Sequence, residues 1–139
     1  MSEDRYRHSL QDLFAAFADI PGMTIYWGTS GCSLRVQLPG RSPLSIGWFF
    51  PPGLTGWMGL KDATFGWYED VNGLGLNDRA RQQLGRYRDR LMALPGAVTP
   101  KPASINGAAF APDVVIAIAP LLGELVREAA VGLVDSLSV

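Results

Sequence analysis

Apolar positions along this chain change their period several times, and each change marks an element. Tyr6, Leu10, Leu13, Phe14 and Phe17 recur at spacings of three and four, the stripe of an amphipathic helix that ends before Asp19-Ile20-Pro21-Gly22. Glu3 and Asp4 in its opening turn suit the positive end of a helix dipole. Strand-like runs follow: MTIYW from Met23, SLRVQL from Ser33, LSIGWFF from Leu44, LTGWMGL from Leu54 and ATFGWYE from Ala63. The short connections between them, rich in Gly, Pro, Ser and Asp, allow only antiparallel neighbours, because a parallel pair needs a crossover of about a dozen residues.

A second helix opens at Asn77, where Ala80, Leu84, Tyr87, Leu91 and Leu94 form the apolar stripe, and Leu94-Pro95-Gly96 closes it. Residues 95–112, with four prolines and an Asn-Gly pair, read as a loop, and loops of such length are usually functional or mobile. Helical spacing through Leu121, Leu125, Ala129, Leu133 and Leu137 predicts a third helix from Asp113 to about Leu137, kinked at Pro120. A strand at 113–118 followed by a helix is the alternative. The whole pattern predicts a single α+β domain over residues 1–139: a five-stranded antiparallel β-meander with an N-terminal helix and two C-terminal helices.

Gly-Trp occurs at Gly47-Trp48, Gly56-Trp57 and Gly66-Trp67, at intervals of nine and ten residues, which is hairpin spacing. With turns at 51–53 and at Lys61-Asp62, each indole lies over a glycine of the next strand, an arrangement that gives glycine in a strand interior a packing role. Strict alternation then places Leu44, Ile46, Trp48, Phe50, Leu54, Met58, Leu60, Phe65 and Trp67 on the core face. Phe49, Trp57 and Tyr68 share the second face, with Ser45, Thr55 and Thr64. Pairing Leu38 with Leu44 puts Arg35 opposite Gly47, in reach of a cation–π contact with Trp57. The plainer account of this second face is that the C-terminal helix covers it. The functional account is an exposed aromatic patch that takes a partner or ligand, a homodimer being its commonest form.

Composition narrows the field of functions. The chain has 139 residues, 47% of them apolar and 18% charged, as expected of one folded domain. A net charge of −1 supplies no overall attraction to nucleic acid or anionic lipid. Cys32, the only cysteine, excludes an internal disulfide or thiolate cluster and suits a reducing compartment. The polar start MSEDRYRHSLQ lacks a signal-peptide core, and the longest apolar stretch, Val114 to Leu122, is far too short to span a bilayer, so a cytoplasmic protein away from membranes is expected.

Candidate chemistry is sparse. His8 is the only histidine and lies off the apolar stripe, so it reads as a solvated residue rather than a catalytic base. Lys61 and Lys101 complete no acid–lysine nuclease motif, YEDVNG at 68–73 fails the calcium-loop pattern at Leu74, and GTSGCS at 28–33 lacks the phosphate-loop lysine. No catalytic residue, metal or cofactor is assigned. Arg79, Arg86 and Arg90 form one ridge of the second helix and could track phosphates or an acidic partner, although interspersed Asp78 and Asp89 and the lack of aromatics on the ridge fit a solvated face better.

These observations converge on a small intracellular binding or interaction protein whose surface is Trp57, Phe49, Tyr68 and Arg35, with a protein partner or a second copy as occupant. An enzyme or small-ligand carrier with a pocket between the sheet and the 95–112 loop is the alternative. Polyanion binding through Arg79, Arg86 and Arg90 is the weaker one, nucleic acid being an unfavoured partner.

Overall fold

The computed structural model describes residues 3–27, 32–49, 63–68, 75–100 and 105–137. In chain order the described elements are α1 (Glu3–Ala18), β1 (Met23–Trp27), β2 (Cys32–Val36), β3 (Leu44–Phe49), β4 (Ala63–Tyr68), α2 (Asp78–Met92), β5 (Ile105–Phe110) and α3 (Pro112–Leu137). The strands form one antiparallel sheet in the order β1-β2-β3-β4-β5. A five-stranded antiparallel sheet with one helix before it and two in the C-terminal half is thus the α+β architecture expected from the periodicity.

The helices form for local reasons. Asn77 caps α2: its side-chain oxygen accepts from the Ala80 amide at 2.8 Å, while its side-chain nitrogen donates to the Ser136 carbonyl at 2.7 Å and ties this end of α2 to α3. Ala80, Leu84, Tyr87 and Leu91 are buried along one face of α2, as the spacing predicts. After α1, Gly22 takes a left-handed conformation, φ 81°, where the chain turns into β1.

Two expectations about the C-terminal part change. The segment read as a loop contains β5, which pairs with β4 along its whole length, from Ala63 opposite Phe110 to Tyr68 opposite Ile105. Strand propensity is poor in Ile-Asn-Gly-Ala-Ala-Phe, and tertiary pairing overrides it. Backbone proximity explains the glycines: a Cβ on Gly107 would lie 1.9 Å from the Phe65 carbonyl oxygen, and one on Gly66, at φ +142°, would lie 2.1 Å from that of Asn106. The expected loop wall of a pocket is therefore, over Ile105–Phe110, part of the sheet.

Helix α3 runs unbroken from Pro112 to Leu137, so the alternative strand at 113–118 does not form. Its buried stripe passes through Val115, Ile118, Leu122, Val126, Ala130 and Leu133, whereas Leu121, expected on the stripe, is 48% exposed. A strict four-residue repeat drifts about 40° per step around a helix of 3.6 residues per turn, so its first member turns away from the core. Pro120 lies on the exposed side, where water can replace the amide that proline lacks.

All three described helices contribute to a single hydrophobic core with one face of the sheet. Leu13 and Phe17 of α1, Leu84 and Leu91 of α2, and Leu122 and Val126 of α3 join Leu34, Val36, Phe49, Phe65, Trp67 and Phe110. α3 packs on α1 and α2, so it completes a helical layer rather than covering the second face of the sheet.

A bulge in β3 decides which side chains reach this core. Arg35 pairs with Ser45 but Leu34 pairs with Gly47, leaving Ile46 as an extra residue without a partner in either neighbouring register. Ile46 and Gly47 consequently both lie on the core side. A Cβ on Gly47 would meet the Phe65 and Leu34 side chains at 3.1 and 3.2 Å, and Ile46 is fully buried in the core. Beyond the bulge the alternation is reversed: Phe49 enters the core and Trp48, expected there, moves to the second face.

β3 also pairs directly with β4, Gly47 opposite Phe65 and Phe49 opposite Ala63. The expected interleaving of a strand from Leu54 between them is therefore not the arrangement of the sheet. Gly66 faces Gly107. The aromatic ring lying over Gly47 belongs to Phe65. Residues 54–60 with Trp57, the turns at 51–53 and 61–62, Lys61, Lys101 and most of the 68–73 run lie outside the described residues.

Candidate functional site

Residues opposite one another in a sheet share a face, so the registers define the surface on the side away from the helices. One continuous row crosses all five strands: Tyr26 faces Ser33, Ser33 faces Trp48, Trp48 faces Thr64, and Thr64 faces Ala109. Ala109 is bridged in turn to Val98. A second row runs beside it from Thr24 through Arg35 to Ser45. None of these residues joins the core cluster under the helices, although Trp48 is itself buried at 5% exposure.

The accessible part of this face is at the β1 edge. Tyr26 is 53% exposed, and the Arg35 guanidinium carbon sits 4.0 Å from the centre of its ring. Arg35 Nε also donates to Ser33 Oγ at 3.3 Å. Thr24 and Arg35 pair directly across the strands, which places Arg35 diagonal to Tyr26 and within reach of its ring. Further in, Ser33, Trp48 and Thr64 are buried. Among the described residues, no carboxylate forms an ion pair with Arg35. The result is a cation held flat on an exposed ring beside a buried indole and two hydroxyls. The accessible Tyr26 and Arg35 can accept an aromatic or apolar group together with an anion, and among the described residues this surface presents no nucleophile–base pair.

The residues picked out from the sequence separate in space. Arg35 lies on the second face as expected and stacks on Tyr26, while the expected contact with Trp57 lies outside the described residues. Phe49 is a core residue instead of a surface one: its ring meets Phe14 and Phe65 edge-on, each at 5.1 Å between centroids, and the bulge is the reason. Tyr68 ends β4 opposite Ile105, and Trp57 lies outside the described residues. Tyr26 was not picked out from the sequence. Its signal was the alternation of Thr24 and Tyr26 against Met23 and Ile25, which marks two unlike faces of β1.

The titratable groups carry little chemistry. Burial pushes the Cys32 thiol up to about 12, partly offset by a backbone hydrogen bond from Phe49, so the thiol is protonated and inert at neutral pH. Burial also raises the Tyr87 phenol well above its ordinary value. His8 is exposed. Among the described residues, no group of three or more His, Cys, Asp or Glu side chains could hold a metal ion, and no helix is long and apolar enough to cross a membrane.

The arginines of α2 are exposed, apart from the half-buried Arg88, and they are not equivalent. Arg90 is ion-paired with Glu128 of α3, Arg88 pairs with its neighbour Asp89, and Arg79 and Arg86 have no carboxylate partner among the described residues. Comparison of the chain with known protein families, with curated proteins and with solved structures finds no match.

Proposed function

We propose that this chain is a binding protein that works through the β1 edge of its sheet, on the face away from the helices, with Tyr26 and Arg35 as the accessible contacts. The observation that supports this reading is the Arg35 guanidinium stacked 4.0 Å from the centre of a half-exposed ring and ion-paired with no carboxylate among the described residues. A stacked guanidinium keeps most of its donors directed outward, which suits a partner that brings a carboxylate alongside an apolar group. A second copy of the chain is such a partner only where a carboxylate from elsewhere on its surface reaches Arg35, since a two-fold interface otherwise sets the same cationic patch against itself.

Sedimentation velocity over a range of concentrations, combined with native mass spectrometry, tests the reading. A dimer or a retained small molecule that is lost in a Tyr26→Ala, Arg35→Ala double variant supports it. A chain that is monomeric and empty, or an assembly indifferent to both substitutions, speaks against it.

A further inference from the structure

A concavity lies away from the sheet face, between α2 and α3. It is a cleft of about 580 Å³, within the size range of small-molecule sites. Tyr87, Leu125 and Ala129, all buried, form its apolar base. Arg86 and Arg90 reach its rim from α2, and Arg127 and Glu128 from α3. Three guanidinium groups thus surround the opening against one carboxylate. Glu128 is already committed to Arg90, while neither Arg86 nor Arg127 is ion-paired among the described residues.

This arrangement differs from a solvated arginine ridge. Charges on a convex helix face diverge into bulk water, whereas here two helices bring exposed guanidinium groups around one hollow with an apolar base, so that more than one fork can grip the oxyanions of a single ligand. Arg86 and Arg90 are one turn apart on the same side of α2. The Arg90–Glu128 pair bridges the two helices and holds a carboxylate at the rim.

We propose that the α2/α3 cleft binds a compact small molecule carrying two or more carboxylate or phosphate groups. Arg86 and Arg127 take its charges, and Arg90 exchanges Glu128 for one of them. A long nucleic acid is disfavoured because the rim carries a carboxylate, and among the described residues the one aromatic ring lining the cleft, Tyr87, is buried at its base rather than available for stacking on bases.

Calorimetric titration of the full chain at low ionic strength, with pyrophosphate and with citrate as probes, tests this. At least one probe should bind with a dissociation constant of about 1 mM or tighter, and the stronger of the two identifies a phosphate or a carboxylate ligand. Arg86→Gln combined with Arg127→Gln should weaken binding at least about tenfold, and Glu128→Gln should strengthen it severalfold by releasing Arg90. Arg79→Gln, on α2 but outside the cleft, should leave it unchanged. If the double variant does not fold, Arg127→Gln alone replaces it, with the same loss expected in part. Failure of both probes overturns the proposal, as does heparin binding where the small anions fail. Equal losses from Arg79→Gln and the cleft variants, or weaker binding in Glu128→Gln, overturn it too.

Discussion

The buried hydroxyl of Tyr87 donates a 2.7 Å hydrogen bond to the carbonyl of Ile46, the residue that the bulge leaves without a strand partner. A buried carbonyl left unsatisfied costs about 1–3 kcal/mol, so a helix side chain completes what the interrupted ladder cannot. The same bulge sets which β3 residues enter the core. Tyr87 therefore stabilises the face assignment of the sheet as well as the packing of α2.

Replacing Tyr87 by Phe keeps the ring and removes the donor. Equilibrium urea unfolding should show a loss of about 1–3 kcal/mol with little change in slope. An unchanged midpoint would mean that the Ile46 carbonyl finds another donor.

Cys32 makes a prediction about alkaline pH. Its folded-state value is raised from 9.0 to about 12, so between those values the unfolded chain releases a proton that the folded chain retains. The stability this provides is whole below pH 9 and is lost as pH rises toward 12. Unfolding measured from pH 8 upward should fall less steeply for Cys32→Ala than for the unsubstituted chain. The remaining decline belongs in part to Tyr87, whose raised phenol acts with the same sign at higher pH. A thiol reagent at pH 8 should label Cys32 only after denaturation.

The glycines should separate by environment rather than by element. Gly66→Ala and Gly107→Ala each drive a Cβ into the opposing backbone, at 2.1 and 1.9 Å, and each should destabilise by about 2 kcal/mol or more. Gly85 lies inside α2 with nothing within 4 Å of an added Cβ, so Gly85→Ala should stabilise by about 0.5–1 kcal/mol. Thermal unfolding of the three variants side by side gives the order directly.

On the open face, Tyr26→Ala and Arg35→Ala remove a cation–π pair that is half in water. Each should cost the isolated chain only about 0.5–1 kcal/mol of stability. Binding that uses this face should weaken by about 2 kcal/mol or more, as at an aromatic hot spot, and sedimentation or titration reads the difference. A large loss of stability with unchanged association would assign the pair to folding alone.

The sequence by itself determined the elements whose patterns are local. The spacing of Leu13, Phe14 and Phe17, the Asn77 cap with Ala80, Leu84, Tyr87 and Leu91, and four of the five strands were legible because side-chain period and capping act within a few residues. It also placed Arg35 on the second face, with an expected stacking partner, Trp57, that lies outside the described residues. Only the tertiary structure decided which ring Arg35 meets, which face Phe49 and Trp48 occupy, and that Ile105–Phe110 completes the sheet. The faces of Trp48 and Phe49 depend on register, and one extra residue at Ile46 reverses the β3 side chains beyond it. The cost of that residue is met by Tyr87, forty-one positions away in sequence. Likewise, Gly107 reads as part of a turn until Phe65 and Gly66 lie against it, and only then is the absence of a side chain the condition for pairing.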